Sequence, residues 1–133
     1  MDIYVEKKGY YLVPADQDSL KAVKGMTKDV HKIKIVKARN YELHKKFFSL
    51  LNFGHEHTKL DLPFDVFRKV MIMRAGYFKA YNTGKGIHYE AESISFANMS
   101  EDVFQEVYKR VLQKIAEDIE TTNEDLLNEL INY

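Results

Sequence analysis

The chain has 133 residues, with 20 Lys and Arg, 20 Asp and Glu, and no cysteine. The length fits one domain, residues 1–133, and an apolar share of 45% is enough for a packed core without disulfides or a structural metal. The absence of cysteine excludes disulfides, zinc–thiolate sites and a cysteine nucleophile, and no apolar run approaches the roughly 18 residues that span a bilayer.

Charge is unevenly distributed along the chain. Residues 1–88 hold 17 Lys and Arg against 9 Asp and Glu, whereas residues 89–133 hold 3 against 11. This asymmetry indicates a surface for a polyanion in the basic half and an acidic helical end in the other half. The alternative is that the two halves neutralise each other across the fold.

The N-terminal segment predicts a β-hairpin followed by a short helix. Residues 3–5 and 10–13 are rich in β-forming residues and are separated by a turn at 7–9. Asp16 is placed to begin the helix and Gly25 to end it.

A basic strand is predicted next, in residues 31–37, HKIKIVK. Ile33 and Ile35 alternate with neighbours that include Lys34, which is typical of a half-buried strand with a basic outer face.

Residues 38–53, ARNYELHKKFFSLLNF, predict a helix with a buried side and a basic side. Asn40 is a good N-cap, and Gly54 is predicted to stop the helix. Apolar residues at helical spacing mark the buried side, namely Leu43, Phe47, Leu50 and Leu51. The basic residues left on the outer side are Arg39, His44, Lys45 and Lys46.

The second half predicts a helix, a hairpin and two further helices. The first helix begins near Pro63, and the hairpin strands are residues 77–81 and 87–96. Ser100 caps a long helix with one buried stripe, and residues 121–123 recap a short last helix. We therefore predict an α+β fold with an N-terminal β-hairpin, about five strands and about five helices.

The sequence offers little catalytic chemistry. His44, His55 and His57 are the most metal-like group, because alternate residues of a strand would place the last two imidazoles on one side. A metal-dependent nuclease built on them is one alternative, but a polar exposed connector at residues 55–63 is the simpler interpretation. No nucleophile motif stands out. We expect a non-enzymatic protein without a cofactor.

Basic and aromatic side chains are the better signal, because lysine and arginine neutralise phosphates and tyrosines can stack on unpaired bases. The residues predicted to bind nucleic acid are Arg39, Lys45, Lys46, His44, Arg74, Lys34, Lys37, Tyr41 and Tyr77. The alternative is that the aromatic residues form the core and the lysines only keep the surface soluble. That alternative is preferred for Phe47, Phe67 and Phe104.

Several segments in this order resemble a phage family of unknown function. They are YYLVPAD, ARNYELHKKFFSLLNF, FDVFRKVMIMRAGYF, ESISFANMSEDVFQEVYKRVLQKI and the closing TTNEDLLNELINY. Arg39, Asn40, His44, Lys45 and Lys46 match the family's "RNxxxHRK" segment. Many members carry a long extra segment before the "FDxFR" helix, and here only GHEHTKLDLP stands in its place.

More distantly, the chain is similar to the NinB (Orf) recombination mediators of lambda-type phages. That resemblance implies a dimer that binds single-stranded DNA and assists loading of a recombinase past single-strand-binding protein. The N-terminal residues have no signal-peptide pattern, so we expect the protein in the cytoplasm of the bacterial host cell. The rival hypothesis is a protein-binding module whose acidic helical end, residues 101–133, engages a host replication, defence or single-strand-binding protein.

Overall fold

The computed structural model describes residues 2–37, 40–95 and 98–133, and the chain divides into two compact units, Met1–Ala38 and Arg39–Tyr133. Each unit is described by itself. Helices and antiparallel hairpins occur together, which confirms the predicted α+β class with an N-terminal β-hairpin and five helices. The organisation as a single domain stays a prediction.

The first unit contains the predicted hairpin and short helix. Strands β1 (Val5–Lys8) and β2 (Tyr11–Pro14) pair antiparallel, and helix α1 (Gln17–Lys24) follows. The Asp16 carboxylate accepts a hydrogen bond from the Ser19 N–H at 2.7 Å and caps the helix as predicted. The buried Ser19 hydroxyl accepts from the N–H of Tyr4 at 2.8 Å, and this bond ties the start of the hairpin to α1.

Residues 31–37 are not a strand, so that prediction is wrong. In the described part of the chain, β1 and β2 pair only with each other, and no third strand joins them. Ile33 and Ile35 are 66% and 64% exposed. The alternation is real, but a strand needs a partner for its backbone groups, and a sequence pattern does not supply one.

The second unit is a helical core with one hairpin. Its helices are α2 (Tyr41–His57), α3 (Phe64–Arg74), α4 (Glu101–Asp118) and α5 (Asn123–Ile131), and its strands are β3 (Phe78–Asn82) and β4 (Ile87–Ala91). Each helix contributes fully buried side chains to one core, which include Phe47, Leu50, Leu51, Phe67, Met71, Phe104, Val107 and Leu126. The predicted core roles of the three phenylalanines are therefore confirmed. Among the described residues, no helix is both long and apolar enough to cross a membrane.

Side-chain caps confirm the predicted starts of α2, α4 and α5, and α3 begins after Pro63, as predicted, without such a cap. Asn40, Ser100 and Thr122 each accept a hydrogen bond from the backbone N–H three residues on, at 3.2, 3.4 and 3.1 Å. In the first turn of α4, Phe104 is fully buried, as predicted, whereas its neighbour Val103 is exposed.

The prediction that Gly54 stops α2 is wrong, because the helix continues to His57. Gly54 is buried where α2 meets α3 and α4. A Cβ placed on it would lie 2.7 Å from Ile115 Cδ1 and 3.2 Å from Phe67 Cζ. The glycine therefore permits a close approach of helices rather than ending one.

Strand β4 is shorter than the predicted 87–96 and ends at Ala91. Its partner β3 begins at Phe78, which pairs with Ala91, so the ladder of five residue pairs ends there. One further hydrogen bond, from the Glu92 N–H to the Tyr77 carbonyl at 3.1 Å, closes the hairpin. Phe96, at the predicted end of this strand, lies outside the described residues.

Replacing Gly54 with valine should destabilise the second unit, because the added carbons overlap the side chains of Ile115 and Phe67. We expect Gly54→Val to lower the free energy of unfolding by about 2 kcal/mol, measured by urea denaturation. Asn52→Ala, on the exposed side of the same helix, is the control and should leave stability unchanged or slightly raised. Equal stability of the two variants would contradict close packing at Gly54.

Candidate nucleic-acid interface

Lys45 and Lys46 lie side by side on the exposed face of α2. The Lys45 ammonium lies 5.3 Å from the centroid of the Tyr41 ring, one helical turn earlier, which is a cation–π contact. Within residues 40–95 and 98–133, no carboxylate forms an ion pair with either lysine. Both charges are therefore presented to solvent, as predicted from the sequence.

His44 belongs to the inner flank of the same helix rather than to its basic face. Its ring is half-buried and lies 4.7 Å from the ring of Phe48 and 6.4 Å from that of Phe104, with which it is stacked. These contacts place the imidazole at the border of the core.

The remaining basic residues predicted near α2 precede it in the chain. Lys34 and Lys37 are exposed in the segment without regular structure that ends the first unit. Arg39 lies outside the described residues.

Arg74 is engaged in an ion pair that joins the ends of α3 and α4. Its guanidinium donates two hydrogen bonds to Asp118, Nη1 to Oδ2 at 2.6 Å and Nη2 to Oδ1 at 2.9 Å. These hydrogen bonds raise the pKa of Arg74 and lower the pKa of the Asp118 carboxyl. The pair lines an open cavity of about 460 Å³ together with Thr58, Lys59 and Val70. A phosphate at Arg74 would compete with Asp118 for the same donors.

Tyr77 is half-buried, and one face of its ring is occupied by an arginine. Arg110 Cζ lies 5.4 Å from the ring centroid, while Arg110 Nη1 donates to the Ala75 carbonyl at 3.3 Å. Three exposed aromatic residues, Phe78, Tyr81 and Tyr89, lie on the hairpin that follows it. Phe78 and Tyr89 were not among the predicted site residues, although the alternation of the two strands about the turn is a signal that pairs them.

The three histidines considered for a metal do not converge. His55 Nε2 donates to the Leu62 carbonyl at 2.6 Å, and His57 Nδ1 donates to the Phe53 carbonyl at 2.9 Å. Because both lie on α2, two positions apart, their side chains point about 200° apart around the helix, and the predicted strand geometry is wrong. In the described ranges, no group of three or more His, Asp or Glu residues is placed to hold a metal ion.

A family model described as "Protein of unknown function (DUF1367)" matches residues 7–63 and 56–124. The two matched segments overlap at the end of α2 and in the connector before α3. The resemblance to the phage family predicts a shortened segment at the same place, where this chain has only GHEHTKLDLP. No curated protein and no solved structure matches the chain.

The Arg74–Asp118 pair should make stability depend on pH in the acid range. The pKa of the Asp118 carboxyl is lower in the folded state than in the unfolded state, where it is about 4. The ion pair therefore contributes its full stabilisation above about pH 4, and this stabilisation is lost as the pH falls through the lowered pKa. Arg74 is 38% exposed and Asp118 23%, so solvent screening limits the loss in Asp118→Asn at neutral pH to about 1 kcal/mol.

The measurement is urea denaturation of the wild type and Asp118→Asn between pH 7 and pH 3. We expect the difference in unfolding free energy to shrink toward zero at the acid end. Glu106→Gln, which removes a more exposed ion pair with Arg110 on α4, is the control and should change stability by no more than about 0.5 kcal/mol. A difference for Asp118→Asn that does not change with pH would contradict the ion pair as its source.

Proposed function

The chain belongs to the DUF1367 family of proteins of unknown function, and from that premise we propose that it is a small, non-enzymatic phage protein that binds single-stranded DNA during recombination or replication. The observation that carries the proposal is the charge of residues 28–46, which hold seven Lys and Arg against two Asp and Glu. Every described lysine in this stretch is exposed. Lysine and arginine at this density can neutralise the phosphates of a nucleic acid and release its bound counterions.

Lys45 and Lys46 are the phosphate contacts of this proposal in the second unit. Their helix is held by a fully buried stripe that includes Phe47 and Leu50, so the two ammonium groups extend from a rigid base. The ring of Tyr41 lies under Lys45 and adds an aromatic surface beside the charge. A rigid base reduces the ordering cost of binding, because only the lysine side chains must be immobilised.

The biological setting of the proposal comes from the resemblance to the NinB-like mediators. The proposal is that the protein acts in the cytoplasm of a bacterial host cell, with a recombinase or single-strand-binding protein as a further partner. Arg74 and Tyr77 have a smaller part than the sequence predicted, because Asp118 and Arg110 already occupy their functional groups.

The test is fluorescence anisotropy with a labelled single-stranded oligonucleotide over a series of salt concentrations. Lys45→Gln combined with Lys46→Gln should weaken binding about tenfold at low salt and reduce the slope of log K against log salt by about 1.4. The control, Lys85→Gln with Lys109→Gln, removes the same charge from other exposed positions of the second unit. Absence of binding at low salt, or an equal loss in the control, would refute the proposal.

A second candidate function is a protein-binding module centred on α5. Ile131 is 80% exposed and Leu127 41%, one helical turn apart, and residues 115–133 contain no Lys or Arg. Exposed aliphatic side chains on an acidic helix fit a basic, apolar groove on another protein.

This candidate predicts a partner that remains bound after nuclease treatment. An affinity pull-down from host lysate, with and without nuclease, should recover that partner with the wild type and lose it with Ile131→Ser. Glu120→Gln, an exposed change between α4 and α5, serves as the control. Recovery that depends on nucleic acid would favour the first proposal instead.

A further inference from the structure

Helix α3 contacts β4, yet the β3–β4 hairpin leaves much of one apolar face exposed. The register pairs Phe78 with Ala91, Ala80 with Tyr89 and Asn82 with Ile87, so these side chains share one face. On that face the rings of Phe78 and Tyr89 meet edge to face at 5.7 Å, yet Tyr89 is 52% and Ile87 61% exposed. A two-stranded ribbon with an open apolar face gains stability when further strands join it.

Hydrogen bonding shows which backbone groups of β4 point away from β3. Thr83 N–H donates to the Gly86 carbonyl at 3.0 Å, and Glu92 N–H donates to the Tyr77 carbonyl at 3.1 Å. In an antiparallel pair such bonded positions alternate, so His88 and Glu90 bond to β3. The N–H and C=O groups of the residues between them, Ile87, Tyr89 and Ala91, therefore point outward from the ribbon. In the described part of the chain, no other strand pairs with this edge.

We propose that β4 pairs antiparallel with β4 of a second copy of this chain, about a two-fold axis at Tyr89. The outward backbone groups of Tyr89 then bond to those of the other Tyr89, and Ile87 bonds to Ala91 of the second copy on either side. The result is a four-stranded sheet with the order β3–β4–β4–β3. Such an interface is isologous, because each contact occurs twice.

The side chains of β4 are self-complementary in this register. On the face opposite Tyr89, His88 of one copy lies across from Glu90 of the other, in a pairing without backbone hydrogen bonds where side chains are closest. Both residues are exposed in the single chain. The same operation on β3, about Ala80, would place Lys79 across from Tyr81 and gives no charge pair. The sequence Ile-His-Tyr-Glu-Ala therefore selects β4 and a second copy of itself.

Substituting His88 by a positively or a negatively charged residue tests whether His88 faces Glu90 of the second copy. Within the hairpin His88 faces Tyr81, so a substitution there leaves the facing residues Lys79 and Glu90 unchanged. In sedimentation experiments over a concentration series, His88→Lys should tighten the dimer and His88→Glu should weaken it, each by roughly tenfold in dissociation constant, because the pair occurs twice. A dimer that responds to neither substitution, or no dimer of the wild type and His88→Lys at millimolar concentration, would overturn the proposal.

Disulfide trapping tests the axis independently, because the chain has no cysteine of its own. Tyr89→Cys should cross-link rapidly under mild oxidation, since bonded residues facing each other across an antiparallel pair have Cα atoms about 5.5 Å apart. Lys85→Cys, in the turn between the strands, is the control and should cross-link at least about tenfold more slowly, because a disulfide forms only between Cα atoms closer than about 7 Å. Equal cross-linking rates would place the contact elsewhere and overturn the proposal.

Discussion

The close approach of three helices at Gly54 is the contact on which the second unit depends. With no side chain at this position, Ile115 of α4 and Phe67 of α3 both reach the backbone of α2. The helix therefore presents its buried stripe to the core without a gap. Because 3.6 residues make a turn, fixing that stripe also fixes the opposite side of α2, where Lys45 and Lys46 extend into solvent. The packing of one glycine thus orients the charges that the proposed function uses.

Two polar contacts of the unit hold the C-terminal end of α3 against α4. Arg74 and Asp118 join the last turns of α3 and α4, and Arg110 connects α4 to the Ala75 carbonyl, where α3 ends. Two of the strongest cationic and aromatic candidates in the sequence, Arg74 and Tyr77, are engaged in these contacts. From the sequence, Arg74 and Tyr77 are candidates for binding a ligand, whereas in the structure their side chains contact other elements of the unit.

Local signals predicted much of the fold, and the failures share a physical cause. Caps at Asn40 and Ser100 and the apolar spacing of α2 were sufficient to predict helices, because these interactions lie within a few residues of each other. Gly54 and residues 31–37 were misjudged because their environment depends on distant partners. A glycine that ends a helix and one that admits a neighbouring helix look alike in sequence, and an alternating segment does not reveal whether another strand lies beside it. Among the candidate site residues, exposure of Lys45 and Lys46 followed from helical spacing, whereas the engagement of Arg74 by Asp118, 44 residues away, did not.

The lysines in the exposed segment at residues 31–37 affect the solubility of the chain whether or not a ligand binds. Ile33, Ile35 and Val36 are all more than 60% exposed in a stretch with high β-propensity, which is the composition of a segment prone to aggregate. Lys32 and Lys34 interrupt this stretch with exposed positive charge, and such charges oppose association of two copies of a β-prone segment. Arginine preserves this protection and glutamine does not. Solubility is therefore a reason for cationic residues at these positions that does not depend on the proposed function.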